Sequence, residues 1–187
     1  MTLLEFKKKV LALIEELNPS SAVLTDDPDI SAKINEVINQ IMFELARIKK
    51  IPKYIEVKVN KGETLDFAKL TQKVGAEVYQ VGIVRGVDCE VKANGTVYKI
   101  LESGTAEVEC FVLPSRITAT TSDSSYSFTL PSDLLEIMPY GVAGDLLKSD
   151  VSADFGRIYS NRYESMLQRL DGRYQLPSIT ISGGINI

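Results

Sequence analysis

The chain has 187 residues, 44% of them hydrophobic and 25% charged, with a net charge of -4 and no histidine. That length carries one solid core or two small ones, and the composition is that of an ordinary globular protein. Basic and acidic residues number 7 and 8 over 1–50, 9 and 10 over 51–125, and 5 and 7 over 126–187, so no segment has the basic excess that phosphate binding requires.

In chain order, Thr2-Leu3-Leu4-Glu5 reads as a capping box, in which hydroxyl and carboxylate each satisfy an orphan N–H. The helix it opens carries Leu3, Phe6, Val10, Leu13, Ile14 and Leu17 on one side and ends at Asn18-Pro19-Ser20-Ser21. Its Lys7-Lys8-Lys9 run spreads around the helix and reads as a solvated face rather than a nucleic-acid grip. Asp27-Pro28 then caps and opens a second helix with Ile30, Ile34, Val37, Ile38, Ile41, Met42, Leu45 and Ile48 at spacings of three and four, closed by Ile51-Pro52. Asp26, Asp27 and Asp29 resemble part of a calcium loop but lack its glycine and closing glutamate, so helix capping is the expected use.

From Lys53 to Ser125 the period changes to two. Ile55, Val57 and Val59 alternate with charges before a turn at Lys61-Gly62, and Val87, Cys89 and Val91 do the same. Asn94-Gly95 marks a hairpin into Val97–Leu101; Ala106, Val108, Cys110 and Val112 follow, and Ile117–Thr121 is expected to add a last short strand. Both cysteines fall on the apolar side, which predicts core packing. Two cysteines in such a chain suit a reducing compartment, no leader is expected ahead of Leu3, and no run approaches the roughly 20 apolar residues of a membrane helix, so the cytoplasm is the expected location.

Tyr126, Phe128 and Leu130 alternate on one face until Pro131-Ser132-Asp133 stops the strand and starts a helix. Leu134, Leu135, Ile137, Met138, Val142, Ala143, Leu146 and Leu147 follow at helical spacing, with Pro139 expected to kink the helix or begin a second one. Gly141 and Gly144 lack the setting of a phosphate loop and suit close helix contact. A last helix, capped by Ser152 and Asp154, carries Phe155, Ile158, Tyr159, Tyr163, Met166, Leu167 and Leu170 as one apolar stripe, and Ile41 and Leu167 are both expected to be fully buried.

These elements predict an α+β fold: a four-helix bundle formed by the N- and C-terminal helix pairs (1–52 and 126–173), with a small antiparallel β module (53–125) inserted. Residues 174–187 form an uncharged tail once Arg173 is passed, and Pro177 and Gly183-Gly184 forbid a stable helix there. Leu176, Ile179, Ile181, Ile185 and Ile187 are the expected partner-binding residues of a docking arm, the alternative being a strand folded back on the chain's own β module. Without histidine the usual general base and the commonest metal ligand are missing, no constellation argues for catalysis, and no metal or cofactor is expected.

The helix–helix–β–helix–helix order resembles that of the head–tail adaptor (connector, or head-completion) proteins of tailed bacteriophages and prophages. The resemblance spans residues 1–172 and rests on Asp27-Pro28-Asp29, on Phe111-Val112-Leu113-Pro114-Ser115-Arg116-Ile117-Thr118, on Leu130-Pro131-Ser132-Asp133 followed by Met138-Pro139-Tyr140-Gly141-Val142-Ala143, and on Tyr159-Ser160-Asn161-Arg162-Tyr163. It departs at Cys110-Phe111, where a tyrosine and a polar residue are expected. The resemblance implies a non-enzymatic virion structural protein of the neck, assembled in the bacterial host cytoplasm. It implies a ring, commonly dodecameric, between the portal protein and a downstream neck or tail-completion protein. Packaged DNA then passes through without specific binding, and no membrane is involved. The alternative function is a small-ligand or carbohydrate-binding β module carried on a helical bundle, although there is no Trp and the tyrosines are scattered.

Overall fold

The computed structural model describes residues 1–18, 24–148 and 153–174, with side chains described as far as Leu170. Helix α1 (Leu3–Leu13) opens on the expected capping box: Thr2 N–H donates to Glu5 at 2.8 Å, and Glu5 N–H donates to the Thr2 hydroxyl at 3.2 Å. Helix α2 (Pro28–Lys49) opens on Asp27, whose Oδ1 accepts from the N–H groups of Asp29 and Ile30. Strand β1 (Pro52–Val59), β2 (Thr64–Asp66), helix α3 (Phe67–Val74), β3 (Val78–Arg85), β4 (Cys89–Lys92), β5 (Val97–Ile100) and β6 (Gly104–Val112) follow. Helices α4 (Ser132–Leu146) and α5 (Ala153–Tyr174) complete the order.

The fold is α+β, but it is not the expected four-helix bundle with an inserted β module. Among the described residues there are five α-helices interspersed with two three-stranded antiparallel sheets, ordered β1-β6-β3 and β2-β5-β4. Helix α3 lies inside the β half. Asp66 caps it through the Lys69 N–H, Gly75 ends it in the left-handed region, and Leu70 is its fully buried side chain. The helices also lack bundle geometry, because α4 is the main packing partner of each of α1, α2 and α5. A bundle helix keeps one wet face, whereas α4 buries Leu134, Ile137, Met138, Val142, Ala143 and Leu146 around its circumference, with Pro139 inside an unbroken helix. Three helices around a buried one are the result.

Two further expectations fail locally. The run Tyr126–Leu130 makes only a single bridge, Thr2 to Ser127, and Ile117–Thr121 is not a strand. The segment is held against the start of α1 by backbone bonds, Leu3 N–H to the Tyr126 carbonyl at 3.0 Å and Leu4 N–H to the Asp123 carbonyl at 2.9 Å, and by side chains. Phe128 packs on Phe6 with ring centroids 5.0 Å apart, and the Lys7 ammonium meets both carboxylate oxygens of Asp123 at 2.8 Å. One member of the lysine run is therefore buried and paired.

Two apolar cores result. One gathers α1, α2, α4 and Tyr163 with Leu113, Ile117 and Leu130. The other fills the space between the sheets with Val57, Val59, Leu65, Leu70, Tyr98, Ile100, Val108 and Cys110. The seam is partly polar, since the Tyr79 hydroxyl of β3 donates to the Ala46 carbonyl of α2 at 3.1 Å.

The strap leaving β6 is fixed by Asn39, which is 1% exposed: its amide donates to the Ile117 carbonyl and its oxygen accepts from the Ile117 N–H, both at 2.8 Å. Asn39→Ala strands two buried backbone groups, so a loss of about 2–4 kcal/mol is expected in urea denaturation. A parental midpoint for that variant would remove this role.

Candidate interaction site

Small residues set the register of α5 against α4. A Cβ placed on Gly144 would lie 2.5 Å from the Ser160 Oγ and 3.0 Å from the Ser160 backbone nitrogen, and one on Gly156 would lie 3.0 Å from the Leu147 Cβ. The contact face of α5 is thus centred on Gly156, Ser160 and Tyr163, as close helix packing through Gly141 and Gly144 predicts. Phe155, one residue round the helix from Gly156 (about 100°), turns away from α4. It is 64% exposed and Ile158 is 60% exposed, so neither belongs to the buried stripe predicted for them. Leu167 is half-buried rather than fully buried, while Ile41 is buried as expected.

Beside these side chains the ends of three helices leave an open cleft of about 270 Å³. Among the described residues it is lined by Leu13, Ile14, Glu15, Leu147, Phe155 and Tyr159. The Tyr159 hydroxyl donates to the Leu13 carbonyl at the end of α1, which fixes that ring across the floor. Glu15 supplies the one charged lining side chain among those described, and the cleft wall mixes apolar side chains with polar surface in about equal measure.

A second exposed patch lies on the outer face of the β1-β6-β3 sheet. Tyr54 and Ile83 are exposed there, and the Tyr54 hydroxyl donates to Glu109 at 2.7 Å. That bond, ahead of any other cause, raises the Tyr54 pKa. A Cβ on Gly82 would run into the Glu109 carboxylate, which would have to swing aside. The depression between Tyr54, Ile83, Arg85, Glu107 and Glu109 measures about 10 Å³.

Other candidates resolve into structure. Asp27 is used as a cap, Asp26 accepts from the Asn18 amide at 2.8 Å, and among the described residues no three Asp, Glu, Cys or His side chains are grouped to hold a metal. The Tyr163 hydroxyl is buried without a hydrogen-bond partner among the described residues, and burial, then Glu44 and Asp145, pushes its pKa well up. Burial, reinforced by Asp145 and opposed by Lys148, also raises Glu44. The tail residues Leu176, Ile179, Ile181, Ile185 and Ile187 lie outside the described residues. Comparison with protein-family models and with curated proteins gives no match for the chain.

Cys89 and Cys110 are free thiols packed on the β core, as their apolar positions predict. Burial, then Glu109, pushes Cys110 up to about 11, so almost no thiolate exists at neutral pH. Cys110 is expected to react with a thiol reagent at pH 8 only after denaturation. Prompt labelling of Cys110 in the native protein would contradict its place in the core.

Proposed function

We propose that the chain is a structural head–tail adaptor of a tailed-phage neck: a ring-forming subunit between the portal protein and the tail side, enclosing part of the DNA path. The observation that carries this reading is the pair of unlike exposed apolar patches. Phe155 and Ile158 stand on the helical half, and Tyr54 and Ile83 on the outer face of the larger sheet. A closed ring needs a heterologous interface, in which one patch of a subunit meets a different patch of the next. The motifs quoted above support the same reading, and so does the charge. An acidic chain whose Lys7 is buried against Asp123 offers little to hold a polyanion that has to slide past. The sheet depression, with room for roughly one water, gives little support to a small-ligand module.

The test is assembly. Native mass spectrometry of the purified chain, alone and with the portal protein of the same phage, is expected to give a ring, commonly dodecameric in such adaptors, and a ring–portal complex. The same preparation is expected to leave duplex DNA unshifted at physiological salt. A chain that stays monomeric with portal present would overturn the reading, and submicromolar, salt-steep DNA binding would overturn the passive conduit.

A further inference from the structure

We propose that the cleft between the ends of α1, α4 and α5 receives the C-terminal segment, residues 175–187, of a second copy of this chain. The inference rests on the adaptor reading in so far as copies stand side by side in a ring. The cleft, among its described residues, and the segment both present apolar side chains without a basic group, and an extended segment has backbone groups for the polar part of the cleft wall. The segment QLPSITISGGINI has no charged side chain and carries Leu176, Ile179, Ile181, Ile185 and Ile187. The cleft offers Leu13, Ile14, Leu147 and Phe155 around Tyr159, with exposed Ile158 beside it.

Reach decides which copy supplies the segment. Helix α5 starts at the cleft and ends at Tyr174, about 22 Å along its axis from Tyr159. Residues 175–187 extend to about 43 Å, so roughly seven of them would be used in returning to the cleft of their own chain. Those seven include Leu176, Ile179 and Ile181. On the way back they would lie along the exposed Asn161, Arg162, Glu164, Ser165, Gln168 and Arg169, a polar surface that gives isoleucine nothing. Only Ile185 and Ile187 would remain for the cleft. A segment arriving from a second copy avoids that surface, and Ile179 and Ile181, which alternate on one side of an extended chain, can enter the cleft together.

The experiment uses full-length chains with two kinds of damage. Phe155→Glu places a charge at the cleft, and because Phe155 is mostly exposed the variant is expected to melt like the parent. The doubly substituted Ile179→Asp, Ile181→Asp chain damages the segment and keeps the cleft. By sedimentation velocity, each variant alone is expected to lose self-association at least about 10-fold relative to the parent. Their mixture, one supplying an intact segment and the other an intact cleft, is expected to recover a two-chain species. Should both variants assemble rings like the parent, the docking is overturned while the adaptor reading stands. A parent that never self-associates and ignores portal overturns both. If the parent is monomeric and Phe155–Tyr159 amides lose hydrogen-exchange protection in the tail variant, the segment occupies its own cleft and the second copy is ruled out.

Discussion

Ile41→Asp is expected to unfold the helical half of the protein. Ile41 is 4% exposed, and its Cγ2 stands 3.1 Å from where a Cβ on Gly141 would be, against the Tyr163 ring. A carboxylate there is buried without a partner. It also sits one turn before Glu44, which burial and Asp145 already hold above the usual carboxylate range, so the new charge has like-charged company. The cost is about 4–5 kcal/mol, comparable to the whole stability of many domains. Circular dichroism is expected to show the cooperative helical melt lost or displaced by more than about 15 °C. A variant that melts with the parent would mean that α2 does not pack on α4 as described.

Gly144→Val is the second large effect, and it acts on position rather than polarity. Two of the three nearest atoms to a Cβ at this site are backbone, the Ser160 nitrogen at 3.0 Å and the Gly156 carbonyl oxygen at 3.3 Å, so side-chain rotation cannot relieve the clash. Helix α5 has to move off α4, at a cost of about 3 kcal/mol. Because Leu147, Phe155 and Tyr159 line the cleft from these same two helices, the displacement is also expected to disturb it. Stability should fall in the order parent, Gly144→Ala, Gly144→Val in chemical denaturation. An equally stable valine variant would show that the close crossing is not needed.

What could be read from the chain was mostly local. The capping box at Thr2-Glu5, the Asp27-Pro28 start and the hairpin through Asn94-Gly95 depend on residues a few positions apart, and the structure has all three. Helix α3 is marked by Asp66, the spacing Phe67, Leu70, Val74 and the closing Gly75, but at eight residues, about two turns, it is short and lies within a stretch whose period is otherwise two. Strand β3 was hidden by Gly82 and by the shifts in its pairing with β6, which break strict alternation. The four-helix bundle failed on information that is not local. Apolar residues at helical spacing say that α4 is buried, but only their spread around the whole circumference says that it is surrounded. Likewise, spacing alone places Phe155 and Ile158 in the core. The small residues Gly156 and Ser160 choose which face of α5 meets α4, and that choice leaves the two large side chains at the cleft.

The two cores are written into the chain differently. Every strand and helix of the β core falls between Pro52 and Val112, so all of its partners have left the ribosome when β6 is complete. Helices α1 and α2 emerge before the β half, yet the surface they pack on, α4, begins only at Ser132. They therefore wait, with Leu3, Phe6, Ile38 and Met42 uncovered, while the whole β half is synthesised. The entropy of closing that long loop falls on the helical half alone. A finished β half between α2 and the strap that leads to α4 shortens the distance the chain has to search, because Pro52 and Phe111, at its two ends, are already cross-strand neighbours.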